Sequence, residues 1–449
     1  MTHPYIPNAG PEVRAAMLAE IGVPSVAEFY GDIPADLRLD RPLDLPAPFA
    51  DEQGLVRHLR GLLARNTDTT EALSFLGHGC YPHHVPAVCD EVNGRGEFLT
   101  AYAGEPYEDH GRFQALFEYV SMMGELLEMD VVNVPTYDGF QAAGTALRMA
   151  ARYTGRGRVL VGAAIAPDKL DKIRDYLAPD IEVVTAPVAA TGETGEVRLD
   201  DTFAGLYVET PNVYGVIETR GRELAGLAHR AGALFVVGTD PISLGVLAPP
   251  ASYGVDLVCG DIQSLGMHQQ YGGGQAGFIA SRDEERLVAE FPSRLFGIAP
   301  TAVAGEYGFG DVFYDRTSFA LREEGKEWVG TAAALWGITA GVYLALMGPQ
   351  GMREIGETIL ARTAYAMRAV AAAGARVRHQ ESFHFREFAV EVPDADGLLA
   401  ALRERNIYGG VRLGRREVLI CVTERHSIAD IDTLAAAVKD ALSASGGAR

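Results

Sequence analysis

Apolar and polar positions divide the chain into three stretches of different period. From about residue 110 to 345, short β-branched runs alternate with helical segments: RVLVGAAI (158–165), IEVVTAP (181–187), GLYVET (205–210), ALFVVG (233–238), VDLVCG (255–260) and AGFIA (276–280). The runs lack a clean polar–apolar alternation, so both faces of the strands are buried and helices such as 220–231 supply the cover. This predicts an α/β domain on a mainly parallel sheet over residues 61–345. Beyond it, a long helix (350–374), strands EFAVEV (387–392) and EVLICVT (417–423), a helix near 395–405 and a final helix after Ser427 predict a small α+β domain over 346–449. Residues 1–60 are rich in proline (IPNAGP, GDIPADLRLDRPLDLPAP) and predict an extended arm with short helices such as Pro11–Ile21.

One stretch, residues 328–352 (WVGTAAALWGITAGVYLALMGPQGM), carries no charge and is long enough for a bilayer core of about 30 Å. Its Gly and Ala content, its Gly-Pro-Gln-Gly stop and the lack of companion segments favour a central buried helix, so no membrane partner is expected.

Composition narrows the partners. With 449 residues, 48% of them hydrophobic, the chain can bury a large core. Sixty acidic against 39 basic residues give a formal charge of −21, which repels a phosphate backbone and argues against nucleic acid. Four cysteines without a CxxC read as thiols of a reduced compartment, and the N-terminus has neither an apolar core nor a cleavage site, so a cytoplasmic location is expected. Only four of the basic residues are lysines: Lys169, Lys172, Lys326 and Lys439.

That scarcity bears on the candidate chemistry. Asp240 ends the strand ALFVVG-Thr-Asp, and about 25 residues later a second strand end leads into GDIQSLG and the glycine-rich YGGGQAG. Pyridoxal phosphate enzymes of the aspartate aminotransferase type, fold-type I, use such an arrangement: the aspartate pairs with the pyridinium nitrogen and a lysine at the second strand end forms the Schiff base. Here Leu265 fills the lysine position and no other lysine falls at a suitable strand end. A degenerate cofactor site would comprise Asp240, Ser264, Gly272 and Gly273; a plain strand-terminal cap at Asp240 is the competing reading. The candidate phosphate turn, 135–139, carries Asp138, a charge ill suited to phosphate, and a simple helix start capped by Asp138 fits equally well. His78, Cys80, His83 and His84 crowd one loop without the spacing between ligand pairs that zinc sites use, so no metal is expected there. Neither a GxSxG nor a thiol motif points to a nucleophile.

Several of these segments carry a resemblance. YIPN (5–8), AMLAEIGVPSVAEFYGDIPADLRLDRPLDLP (16–46), LSFLGHGCYPHHVPAV (73–88), TYDG (136–139), ETPNVYGVIE (209–218), SLGVLAPPASYGVDLVCGDIQSLG (243–266), YGGGQAGFIA (271–280) and CVTERHSIADID (421–432) resemble subunit 1 of the two-subunit glycine decarboxylase, the P-protein of the glycine cleavage system. The resemblance implies a fold-type I subunit without its own Schiff-base lysine, inactive alone, paired with a homologous lysine-bearing subunit 2 that holds the pyridoxal phosphate. It implies that the pair decarboxylates glycine and passes the aminomethyl group to the lipoylated H-protein. Tyr81 and His83 match the family's loop, whereas His78, Cys80 and His84 are this chain's additions. The loop 77–86 is expected to line a cleft between subunits and orient substrate.

Three departures stand out: TAYAGEPYEDHG (100–111) where the family carries a proline-tyrosine-glutamine-proline-glutamate run, Ala166-Pro167 for a histidine-proline pair, and EGKEWVG (324–330) for a lysine-alanine-threonine-serine-asparagine segment. They keep open a paralogous enzyme acting on a different amino acid, and a structural pseudoenzyme.

Overall fold

A computed structural model describes residues 3, 5–69, 71–98, 110–329 and 333–446. The chain divides into two units after Thr67. The first carries helices Pro11–Ile21 and Glu52–Leu63, and none of its described residues is buried. End signals define these helices. Pro11 opens the first, Gly22 closes it in the left-handed region at φ 84°, and Asp51 caps the second by accepting from the Gly54 N–H at 2.7 Å.

The second unit, Asp68–Arg449, is built on a seven-stranded sheet. Its strands are β1 (Val131–Val132), β2 (Arg158–Gly162), β3 (Glu182–Ala186), β4 (Phe203–Thr210), β5 (Leu234–Thr239), β6 (Leu257–Asp261) and β7 (Gly277–Ser281). Across the sheet they lie in the order β1-β7-β6-β5-β4-β2-β3, with parallel pairing from β6 through β3 and with β7 antiparallel to both neighbours. Helices α1 (Gly139–Thr154), α2 (Pro167–Leu177) and α3 (Gly221–Arg230) lie between successive strands, as parallel pairing demands. Successive strand residues enter different cores. Leu206, Phe235 and Val237 pack into one cluster, while Tyr207, Leu234 and Val236 pack into another, which is why these runs show no polar alternation.

The uncharged stretch and the helix expected after it form a single element, α4 (Ala334–Ala372), broken at Gly348 (φ 57°) beside Pro349. The Gly-Pro pair therefore kinks the helix rather than ending it, because proline lacks the N–H and glycine tolerates the left-handed turn. Ile338 and Tyr343 in the first half are buried in the large cores, and Ala366 and Val370 in the second half join the C-terminal core. No helix among the described residues is long and apolar enough to cross a membrane.

The C-terminal sheet is antiparallel, ordered Arg376–Val377, Glu387–Glu391, Glu417–Cys421, Val411–Gly414. One face packs Phe388, Val390, Val418 and Ile420 against helices Ala395–Arg403 and Ile428–Gly446. Residues of the opposite phase, Glu387 and Cys421, meet the loop at Gly77, where a Cβ would collide with both. Leu73 and Ser74 pair in parallel with Ile407 and Tyr408, and Phe75 is buried in the same C-terminal core, so the chain visits this region before entering the large sheet.

Candidate functional site

The C-terminal ends of β4, β5 and β6 open into a cavity of about 210 Å³, the place where an open parallel sheet leaves room for a ligand. β4 contributes Glu209, β5 is followed by Asp240, and β6 ends in Asp261, with Gln263 and Ser264 just beyond. Asp138 and Gly139 stand at the start of α1; Lys169 and Lys172 project from α2. The loop 77–86 adds His78 and Tyr81, and the C-terminal sheet adds Arg386 and Glu387.

Charge pairs line this space. Arg386 Nη2 lies 2.8 Å from Asp240 Oδ2, and its guanidinium carbon sits 3.3 Å from the centre of the Tyr81 ring. Its Nη1 donates to His83 Nε2 at 2.7 Å. A guanidinium only donates, so His83 accepts at Nε2 and is left to donate from Nδ1 to Glu424 Oε2, 2.7 Å away. Burial opposes the charge on Glu424, but the His83 ring and the backbone N–H of His84 (2.6 Å) outweigh it and hold the carboxyl at about 2. Glu387 accepts from the His78 N–H at 2.6 Å and from the Tyr81 hydroxyl at 3.1 Å; burial still raises its pKa, against the pull of Arg386.

On the far wall, Lys169 Nζ lies 2.5 Å from Glu209 Oε1, which also accepts from Tyr207 at 2.9 Å. Burial works against the Lys169 charge, but Glu209 holds its pKa above the ordinary value, so this amine stays protonated. At the head of α1, Asp138 Oδ1 accepts from the Gln141 N–H (2.7 Å), and Asp261 Oδ2 accepts from the Gly139 N–H (2.9 Å). Asp261 also accepts from the backbone of Gln263 (2.8 Å), yet burial pushes its carboxyl up to about 7.

The structure places some of the expected residues at the cavity and others away from it. Asp240, Ser264, Tyr81 and His78 line the cavity, and Ser264 donates to Asp240 Oδ1 at 3.3 Å. Leu265 does not line the cavity: the tight turn closed by its N–H to the Ile262 carbonyl (2.9 Å) directs its side chain into the core, and Ser264 faces the cavity instead. Gly272 and Gly273 are also outside the site, because the turn after Gln269 carries them to the surface, while Gln275 lines the wall. His83 lies behind Arg386 rather than in the cavity, and His84 is exposed, reaching the network only through its backbone. Among the described residues, no three His, Cys, Asp or Glu side chains are grouped to hold a metal.

Sequence reasoning missed Arg386, Lys169, Glu209 and Asp261. Asp261 and Glu209 sit at or beside strand ends and carried the same signal as Asp240. Arg386 had none, since its place depends on how the C-terminal sheet meets the large one. Of the three departures, residues 100–109 lie outside those described, and Ala166 lines the cavity where Pro167 begins α2. In the third, Lys326 pairs with Glu290, while Glu327 accepts from Thr145 Oγ1 (2.5 Å), Arg152 Nη1 (3.3 Å) and Tyr176.

This sheet order, with an acid at a strand end facing a cavity, defines a fold-type I protein, the architecture of pyridoxal phosphate enzymes. The structure is similar to a sphingosine-1-phosphate lyase of Burkholderia pseudomallei at fold level, with TM-score 0.63 and 18% identity over 90% of this chain and 93% of that one. The chain belongs to the glycine cleavage system P-protein family, which it matches over residues 3–438. It is 36% identical over 452 residues to a probable glycine dehydrogenase (decarboxylating) subunit 1 of Metallosphaera sedula, covering 98% of this chain and 99% of that one. It is likewise 36% identical over 460 residues to the protein of the same description from Aeropyrum pernix, covering 97% and 98%. A crystal structure of a glycine decarboxylase (P-protein) in inhibitor-bound form superposes with TM-score 0.87 at 34% identity, covering 98% of this chain and all of that one.

Proposed function

We propose that this chain is the lysine-lacking subunit of a heteromeric glycine decarboxylase of the aminomethyl-transferring type, and that it works only when assembled with a homologous lysine-bearing subunit. The observation that carries the reading is the strand end after β6, where Ser264 rather than an amine faces the cavity of a P-protein-family fold. Lys169 does not substitute for the missing amine, since it stands on α2 rather than at that strand end and is tied to Glu209 at 2.5 Å. Pyridoxal phosphate is held by the partner subunit, where it supplies the electron sink for loss of the carboxylate. The lipoylated H-protein takes the aminomethyl group, and the complex is cytoplasmic. This chain contributes surface and positioning: the loop 77–86, held by Glu387, Glu424 and Gln263, is rigid enough to present groups to a neighbour.

The test is co-expression with the lysine-bearing subunit, followed by glycine-dependent carbon dioxide exchange with and without lipoylated carrier. Activity with both subunits and none with either alone is expected. A complex that forms and exchanges no carbon dioxide with glycine overturns the reading. A second reading, a paralogue acting on a different amino acid, draws support from the segment 324–329, whose Lys326 and Glu327 are tied to this chain's own Glu290, Thr145 and Arg152. Activity of the same complex with another amino acid and not with glycine selects it.

A further inference from the structure

A pyridoxal phosphate site needs a carboxylate free to face a pyridinium, a flat surface to stack the ring, and N–H groups free to hold a dianion. This cavity has all three elements, and each already faces a group of this chain. Asp240 Oδ2 lies 2.8 Å from Arg386 Nη2 as an ion pair without an aligned hydrogen bond, and the guanidinium carbon of the same side chain lies 3.3 Å from the centre of the Tyr81 ring. A guanidinium is planar, delocalised and permanently charged, so it satisfies a carboxylate and an aromatic face as a protonated pyridine ring would. It is no stray surface group: the Arg386 side chain is 3% exposed and its Nη1 is bonded to His83. Its backbone is held at φ 64°, a conformation that a long side chain adopts at a cost and keeps only where its surroundings over-determine it. At the other pole, two of the donors at the head of α1 are taken by carboxylates, Gly139 N–H by Asp261 and Gln141 N–H by Asp138. A phosphate brought there meets two acids and finds both of those N–H groups occupied.

We propose that the cavity is a self-occupied cofactor site, in which Arg386 fills the place of the pyridinium and the carboxylates of Asp261 and Asp138 fill that of the phosphate, so that the chain excludes pyridoxal phosphate altogether. The missing lysine is then only one part of the loss. The inference rests on the reading of the chain as a cofactor-free subunit and goes beyond it in naming what stands in the cofactor's stead.

Equilibrium dialysis of the full chain against pyridoxine, inorganic phosphate and pyridoxal phosphate separates the two poles. The wild-type chain is expected to retain none of the three. Arg386→Leu, checked by circular dichroism for a native fold, is expected to gain saturable pyridoxine binding, tighter than wild type by about tenfold or more. A folded Arg386→Leu with no gain overturns the proposal. Two further measurements do not depend on that variant. Stoichiometric uptake of pyridoxal phosphate by the wild-type chain overturns it, as does borohydride trapping of pyridoxal on Ser264→Lys in an otherwise wild-type chain. Carbon dioxide exchange by the complex is read separately: cofactor uptake by the isolated chain beside an active complex refutes the exclusion alone, whereas exclusion beside an inactive complex refutes only the functional reading.

Discussion

Gln263 grips the backbone of Tyr81 from both sides, its Oε1 accepting the Tyr81 N–H at 3.0 Å and its Nε2 donating to the Tyr81 carbonyl at 3.1 Å. The pair reproduces with one side chain what a strand neighbour provides with a backbone, and it fixes the loop 77–86 against the turn after β6. The loop therefore behaves as part of the cavity wall.

Replacing Gln263 by alanine removes both bonds and a third, from Nε2 to the Met267 carbonyl at 3.0 Å, and leaves three backbone groups unsatisfied. An unfolding free energy lower by about 1–3 kcal/mol is expected. Hydrogen exchange locates the effect: the Tyr81 amide should lose protection while the β4 and β5 amides keep theirs. Equal loss of protection across the central sheet would mean that the clamp is global.

The Asp240–Arg386 pair joins the end of β5 to the start of the C-terminal sheet, with 13% and 3% of the two side chains exposed. Removing one partner strands a buried charge, so Asp240→Ala and Arg386→Leu are each expected to cost about 3–5 kcal/mol. The double variant should cost well under the sum, because it strands neither. Chemical denaturation of the four proteins in the cycle measures the coupling, and additive costs would show that the two groups are not paired in solution.

The two acids with the largest resolved displacement act on stability in opposite senses. Glu424, held at about 2 against an ordinary 4.5, contributes stability that is complete above about pH 4.5 and is lost as pH falls toward 2. Asp261, pushed up to about 7 from 3.8, binds its proton more tightly in the folded state, so it costs stability above pH 7 and the cost is relieved as pH falls from 7 toward 4. Asp261→Asn is expected to flatten the pH dependence between 4 and 7 by on the order of 1 kcal/mol per pH unit, read from denaturation midpoints against the wild type. Parallel curves for the two proteins would mean that Asp261 is ionised throughout.

How much of this was legible in the chain follows from where each determinant lies. The central strands announced themselves because β-branched runs buried on both faces need no tertiary partner to be recognised; the two-residue β1 was too short for any period. In sequence the kink at Gly348 looks the same as a helix end, because proline and glycine punctuate both, and only the packing of α4 on two cores distinguishes them. Asp240 was found from its strand end. Composition alone does not separate Leu265 from Ser264 as the residue that faces the cavity, because a one-residue difference after a strand is decided by the turn. Arg386 was invisible: it is brought to Asp240 across 146 positions of sequence by the C-terminal sheet.

The arm yields the last expectation. Its helices have end signals but no buried side of their own, and it displays Tyr5 at 90%, Leu37 at 72% and Leu45 at 70% exposure, with Ile6, Met17, Ile21 and Phe29 above half. Apolar exposure on that scale is uncommon on a surface that stays in water, so the arm is expected to be covered in the assembly. A chain trimmed to begin at Asp68 keeps every core residue, so its thermal midpoint is expected to stay within a few degrees of the full chain's, a shift of about 1 kcal/mol or less. Its assembly with the lysine-bearing subunit is expected to fail, leaving the two as separate species by multi-angle light scattering. A trimmed chain that still co-elutes with the partner at the mass of the intact complex would show that the arm covers no surface of the assembly.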